Sequence, residues 1–338
     1  MIALVWLTHA LNVALLGRVM RTCGMRWASV VLAQVVFGLT AAKYETLCWS
    51  VQWSAVLSVT FMLLALDAFF SDEPTWRQVG WVASSALSFS RGVLTGPVLA
   101  LGVVLQGVSG PGRQGAGRLR RAAWLVAPSV AVACLILVLS SGNHHHMGGH
   151  WADAAVYGLW YLCANPTHAL LAVEPYGWHT VAVLGILKLG LIGWGLMRSS
   201  GRVRTLFVML VAFEVGNAVL LGIGRFHTGL PTTIASRYQY ASLLGSMPIL
   251  GFAFSTLLGA VPVPNAVRGL VAAVILGALG LNLVRDWRPQ IEPFTDWRGT
   301  QSRRILLEDP DPPRDAVPGI PGLPMDRAKV LIETYRLH

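Results

Sequence analysis

The chain has 338 residues, of which 54% are hydrophobic and only 12% charged, with a mean hydropathy of +0.57. A soluble globular protein carries about 25% charged residues, so the composition excludes that class and points to an all-α, polytopic integral membrane protein. The net charge of +10 would ordinarily raise nucleic acid, but the basic residues sit in short clusters between apolar runs, as membrane topology places them, and no nucleic-acid partner is expected.

Ile2 to Val19 is the first expected span; it carries His9 and Asn12 and ends in Arg18, Arg21 and Arg26. Trp27 to Ala42 returns across the membrane. A polar turn of Lys43, Tyr44, Glu45 and Thr46 then leads into a span from Trp49 to Phe70, and Asp72, Glu73 and Arg77 mark the opposite face. Val79 to Phe89 is too short to cross a hydrocarbon core of roughly 30 Å. With the run that follows to Val108, it reads as a pair of short or re-entrant helices with Arg91 at the turn. Ser109 to Arg121 holds four arginines and no acid, a cytoplasmic signature. Ala122 to Leu139 crosses outward to a polar segment, Ser140 to His179, and Thr180 to Met197 crosses back to Arg198, Arg202 and Arg204. Leu206 to Ile223, Tyr238 to Leu258 and Val267 to Val284 complete about eight full spans besides the short pair.

Twelve arginines fall in the loops assigned inside, against four basic residues in the loops assigned outside up to Arg237. This orientation fits a bacterial cytoplasmic membrane with the N-terminus, the histidine-rich segment and the C-terminal tail outside. Nine of the sixteen acidic residues follow Arg285, so the positive excess belongs to the membrane part. Residues 1–285 therefore read as a transmembrane domain. Residues 286–338, with eight prolines, read as an extended, loop-rich tail with one short helix from Asp326 to Arg336.

Cys23, Cys48, Cys134 and Cys163 lack the spacing of a disulfide framework or a zinc site. No Walker loop, dinucleotide fingerprint, HExxH or GxSxG is present, which disfavours cytosolic nucleotide chemistry. Between two spans lies GRFHTGLPTTIASRY, Gly224 to Tyr238. Its Arg225 and Arg237 either grip an anionic group at the mouth of the bundle or snorkel to the interface. Lys188 and Glu214 fall at similar depth in adjacent spans, as a structural ion pair or as part of a proton or substrate pathway. GNHHHMGGH offers His144, His146 and His150 to a divalent metal, or else forms a solvated loop that donates to a phosphate or sugar. Glu45, Asp153 and Glu174 are the outward acids, each a candidate general base or a solvated charge.

Residues Leu7 to Leu66 place in order a His/Asn-bearing helix, an arginine-rich turn, an acid-bearing outer turn and a Trp-rich helix start. In this layout the chain resembles GT-C-type polytopic glycosyltransferases of the protein O-mannosyltransferase-like kind. GRFHTGLPTTIASRYQYASLL and the closing IPGLPMDRAKVLIETYRLH are similar to segments of bacterial membrane proteins of that group. The resemblance implies transfer of a sugar from a polyprenyl-phosphate carrier at the outer face. Arg225, His227, Arg237, Tyr238 and Arg91 would meet the carrier phosphate, and Glu45 would stand as the acid of the outer turn. The chain begins where the helices after the family's first span and first outer loop would begin. The alternative is thus a non-catalytic accessory subunit that binds lipid or a membrane protein complex. A transporter built on Lys188 and Glu214 is the third reading.

Overall fold

The computed structural model describes residues 1–108, 115–139, 149–175, 177–260 and 264–287. Among these the regular elements are all helical: α1 (Ile2–Thr22), α2 (Trp27–Leu39), α3 (Tyr44–Cys48), α4 (Trp53–Phe70), α5 (Thr75–Ser88), α6 (Thr95–Val108) and α7 (Gly115–Leu139). They continue as α8 (Trp151–Ala164), α9 (Thr167–Leu171), α10 (Trp178–Arg198), α11 (Gly201–Arg225), α12 (Ser236–Ala260) and α13 (Asn265–Arg285). Met1–Leu283 forms one compact unit. The expected helix Asp326–Arg336, nearly all of the tail, and His144 and His146 lie outside the described residues.

Seven of these helices are long and apolar enough to cross a membrane, and the chain is an integral membrane protein of the all-α class. An eighth crossing is made if α2 and the helical stretch Ala41–Cys48 count as one span bent by 48°. The bend follows from Thr40, whose extended backbone interrupts the helix while its hydroxyl accepts from the Ala42 N–H at 3.2 Å.

Large apolar side chains cover much of the exposed face of the bundle as well as its core. On α1 the buried stripe is Val5, His9, Asn12, Leu16 and Val19, spaced so that they share one face, whereas Leu4, Leu7 and Leu11 are exposed. The polar His9 and Asn12 therefore point inward beside Leu16, while Leu4, Leu7 and Leu11 can face outward, because lipid solvates leucine but not an amide. The helix stops at Gly24, whose φ of 86° closes a Schellman turn with Met25 N–H bonded to Met20 O at 3.1 Å. The span containing α4 is 72% buried and forms the centre. α7 and α13 are 17% and 6% buried in their apolar windows and lie at the periphery.

One end of the bundle is tied by arginines. Arg18 bridges Asp67 at 3.0 Å, Arg202 bridges Asp72 at 2.8 Å, and Arg121 donates to Gln78 at 3.1 Å, which gathers the ends of α1, α4, α5, α7 and α11. At the other end the Glu45 carboxylate accepts from the Arg237 backbone N–H at 3.2 Å.

The segment between α7 and α10, expected as a polar outer loop, is different. α8 is a fourteen-residue helix whose Ala154, Tyr157, Tyr161 and Ala164 are buried, packed on α11 and α10. It is too short to span, and it ends inside the bundle.

Candidate functional site

The site is built around Arg91, where the expected helix pair is broken. α5 ends at Ser88, Phe89 is extended, and Ser90–Leu94 makes a tight 3-10 turn into α6. Gly92 makes the turn possible: a Cβ there would lie 1.8 Å from the Ser85 carbonyl oxygen, so only glycine lets the turn press against α5. The Ser85 hydroxyl bonds to Ser58 O at 2.8 Å and to Thr95 Oγ1 at 2.9 Å, fastening both arms to α4.

This folding carries the Arg91 side chain into the interior, where it is 6% exposed. Among the described residues its Nε and Nη1 have no hydrogen-bond partner, and its guanidinium carbon stands 5.1 Å from the Phe89 ring centroid. Among the described residues the titratable groups that act on it are the phenols Tyr161, Tyr240 and Tyr238. A guanidinium cannot shed its proton, so a full positive charge is held there among hydroxyls.

Those phenols are fixed by their own partners. His9 Nε2 is 3.1 Å from the Gly38 carbonyl and must donate to it, so Nδ1 accepts from Tyr240 OH at 3.0 Å. Asn12 Nδ2 donates to the same phenol and to Val56 O, both at 2.9 Å. Tyr161 OH accepts from Asn217 Nδ2 at 2.9 Å and donates to Tyr238 O at 3.4 Å. Beside His9, Lys43 is fully buried and donates to two carbonyls, Thr40 O at 3.0 Å and Gly38 O at 3.5 Å. Among the described residues, the buried carboxylates are Asp67, bridged to Arg18 at the far end, and Glu214, bridged to Lys188. Lys43 and Arg91 are left without a carboxylate.

The stretch Gly224 to Tyr238 lies over this region. It folds as two 3-10 turns, Phe226–Thr228 and Leu230–Ile234, and Thr233 is fully buried. Asn165, just past α8, donates to Thr233 O at 2.9 Å and accepts from Gln239 at 2.5 Å. Arg237 is half-buried, with its guanidinium 5.2 Å from the Tyr238 ring. Arg225 and His227 are exposed. Tyr238 is an electrostatic neighbour of both Arg91 and Arg237, and Tyr157 is one of both Arg237 and Arg225.

Lys188 and Glu214 meet inside the bundle at 2.5 Å, and Ser242 donates to the same Glu214 oxygen. The ammonium also donates to Leu162 O at 2.8 Å and Asn165 O at 2.5 Å. These are carbonyls at the C-terminal end of α8, where the helix dipole is negative. The pair therefore terminates a helix that stops within the membrane.

The three outward acids have separate surroundings. Glu45 accepts from the Arg237 backbone N–H at 3.2 Å, and its own N–H donates to Ser236 Oγ at 2.8 Å, so it caps the start of α12. Asp153 pairs with His150 at 3.0 Å in a cleft of about 520 Å³. Glu174 is exposed between α9 and α10. Among the described residues no group of three or more His, Cys, Asp or Glu side chains is arranged to hold a metal ion.

Sequence reasoning missed Tyr161 and Tyr240. Their signal was present: Tyr157 and Tyr161 are four apart on one helix face, and Tyr238 and Tyr240 interrupt an otherwise apolar run. Compared with known proteins, the chain matches no family model, no curated protein and no solved structure.

Proposed function

We propose that this protein binds the phosphate of a polyprenyl-phosphate lipid in its Arg91 region and acts as a glycosyltransferase of the GT-C kind, taking a sugar from that carrier. The observation that carries the proposal is Arg91 itself, a buried guanidinium with two unpartnered nitrogens and no carboxylate among its titratable neighbours. An isolated buried charge costs several kcal/mol, and phosphate oxygens accepting from the unpartnered guanidinium nitrogens would offset that cost. Phenols around a cation suit this role, since a neutral phenol does not pair with the guanidinium as a carboxylate would and so leaves it to an incoming anion. Arg237 and Arg225, nearer the bundle end, would neutralise the remaining phosphate charge. The long apolar tail of such a lipid would stay in the bilayer beside the site.

On this reading the arginine-tied end faces the cytoplasm, and the site and the C-terminal tail face the outer side of a bacterial cytoplasmic membrane. A second reading, an accessory subunit that holds the lipid without transferring its sugar, is favoured by α13, a span whose only buried side chain is Ala272. Such a helix has nearly its whole surface available for lipid or for a partner subunit. Native mass spectrometry of protein extracted from its own membrane tests both. A polyprenyl-phosphate species retained by the parent protein and lost on Arg91→Gln supports the binding site. Stable partner subunits with no such lipid would instead support the accessory reading.

A further inference from the structure

The cleft beside this region has a chemistry of its own. It lies between the first turns of α8 and the turn after α11, and is lined by His150, Asp153, Val156, Phe226, His227 and Leu230. Its volume of about 520 Å³ is within the range of small-molecule sites. One wall is aromatic: the His150 ring stacks on Phe226 with centroids 5.5 Å apart and planes at 25°, and His227 meets Phe226 edge-on at 5.8 Å. The other polar element is the carboxylate of Asp153, 3.0 Å from His150 Nδ1.

A short hydroxyl chain runs from beside the cleft to the backbone carbonyl of Arg225. Tyr157, one turn along α8 from Asp153, bonds to Thr232 Oγ1 at 2.9 Å, and Thr232 bonds to Thr228 at 2.7 Å. Thr228 donates to Arg225 O at 2.7 Å. The Tyr157 phenol is an electrostatic neighbour of both Arg225 and Arg237. Anionic and neutral parts of one ligand would therefore be separated: the phosphate goes to the arginines, because Asp153 repels it from the cleft. What suits the cleft is a neutral polyol with one apolar face, whose hydroxyls donate to a carboxylate and whose C–H face lies on a ring.

Resting on the phosphate-binding reading above, we propose that this cleft is the subsite for the sugar of a polyprenyl-phosphate-linked glycosyl donor, with Asp153 and His150 bonding its hydroxyls and Phe226 stacking on its ring. The test is carbethoxylation of His150 by diethyl pyrocarbonate, read residue by residue by mass spectrometry on the full chain in nanodiscs. The probes are undecaprenyl phosphate and its glucosyl, mannosyl and arabinosyl derivatives. The proposal expects every probe to bind, at least one glycosylated probe to slow His150 modification roughly tenfold, and bare undecaprenyl phosphate to leave it unchanged. With Phe226→Ala and Asp153→Asn, the glycosylated probe should still bind but with its affinity reduced roughly tenfold toward that of the bare lipid, the loss of one good contact. Binding of the probes without selective protection of His150 would overturn the sugar subsite and leave the phosphate site standing. Failure of all four probes to bind would overturn the phosphate site, and the subsite with it.

Discussion

Lys188 and Arg91 are both cations buried in the same bundle, yet they are treated in opposite ways. Lys188 has three acceptors for its three protons, namely Glu214, Leu162 O and Asn165 O. Arg91 has phenols and a ring face around it, with Nε and Nη1 unpartnered. A charge that ends a helix inside a membrane is fully paired, because an unmet proton there costs the fold directly. A charge left unpaired at the same kind of depth is a cost the fold carries unless a ligand removes it. Pairing marks Lys188 as a structural charge, and the unpaired Arg91 is the charge that the proposal assigns to a ligand.

The largest effect expected from this contrast is at Lys188. Lys188→Met leaves Glu214 buried and unpaired and strips the α8 terminus of its donor, so it should cost about 3–5 kcal/mol of stability. The double variant Lys188→Met with Glu214→Leu should regain much of that loss, since no buried charge then remains. Thermal unfolding in nanodiscs reads both, and a single variant as stable as the parent would remove the structural role.

Gly92 comes next. A methyl group there meets backbone, the Ser85 carbonyl, rather than a side chain able to turn away. Gly92→Ala should therefore destabilise by about 1–3 kcal/mol and, by displacing the turn, weaken lipid retention as well. Loss of stability with lipid binding intact would show that the turn tolerates movement and that Arg91 is not held by it.

Much of this arrangement could be read in the sequence because membrane physics writes it plainly. Apolar runs long enough to cross gave the spans, and Ser90-Arg91-Gly92 between two short runs announced the break. Counting residues from the span ends placed Lys188 and Glu214 at matching depth, where they meet at 2.5 Å. The region between α7 and α10 was not legible in the same way. Its fourteen-residue helix is below spanning length, and the histidines ahead of it suggested a solvated loop, although Ala154, Tyr157, Tyr161 and Ala164 form a buried stripe. Contacts between distant segments were also beyond reach, since no local pattern tells that Tyr240 meets His9 and Asn12, or that Glu45 caps α12. The phenols that surround Arg91 come from two helices, α8 and α12, and only the folded bundle collects them.

The most direct measurement of the central claim is the melting temperature of Arg91→Met beside the parent protein, each with and without undecaprenyl phosphate in nanodiscs. Without lipid, the variant should melt at or above the parent, because it removes a buried charge that has no carboxylate partner. With lipid at a hundredfold excess over its dissociation constant, the parent should gain about 2.7 kcal/mol of stability, and the variant should gain little. A variant that melts well below the parent and still gains the full lipid-dependent increase would contradict the account, because Arg91 would then be a structural charge and the phosphate would bind elsewhere.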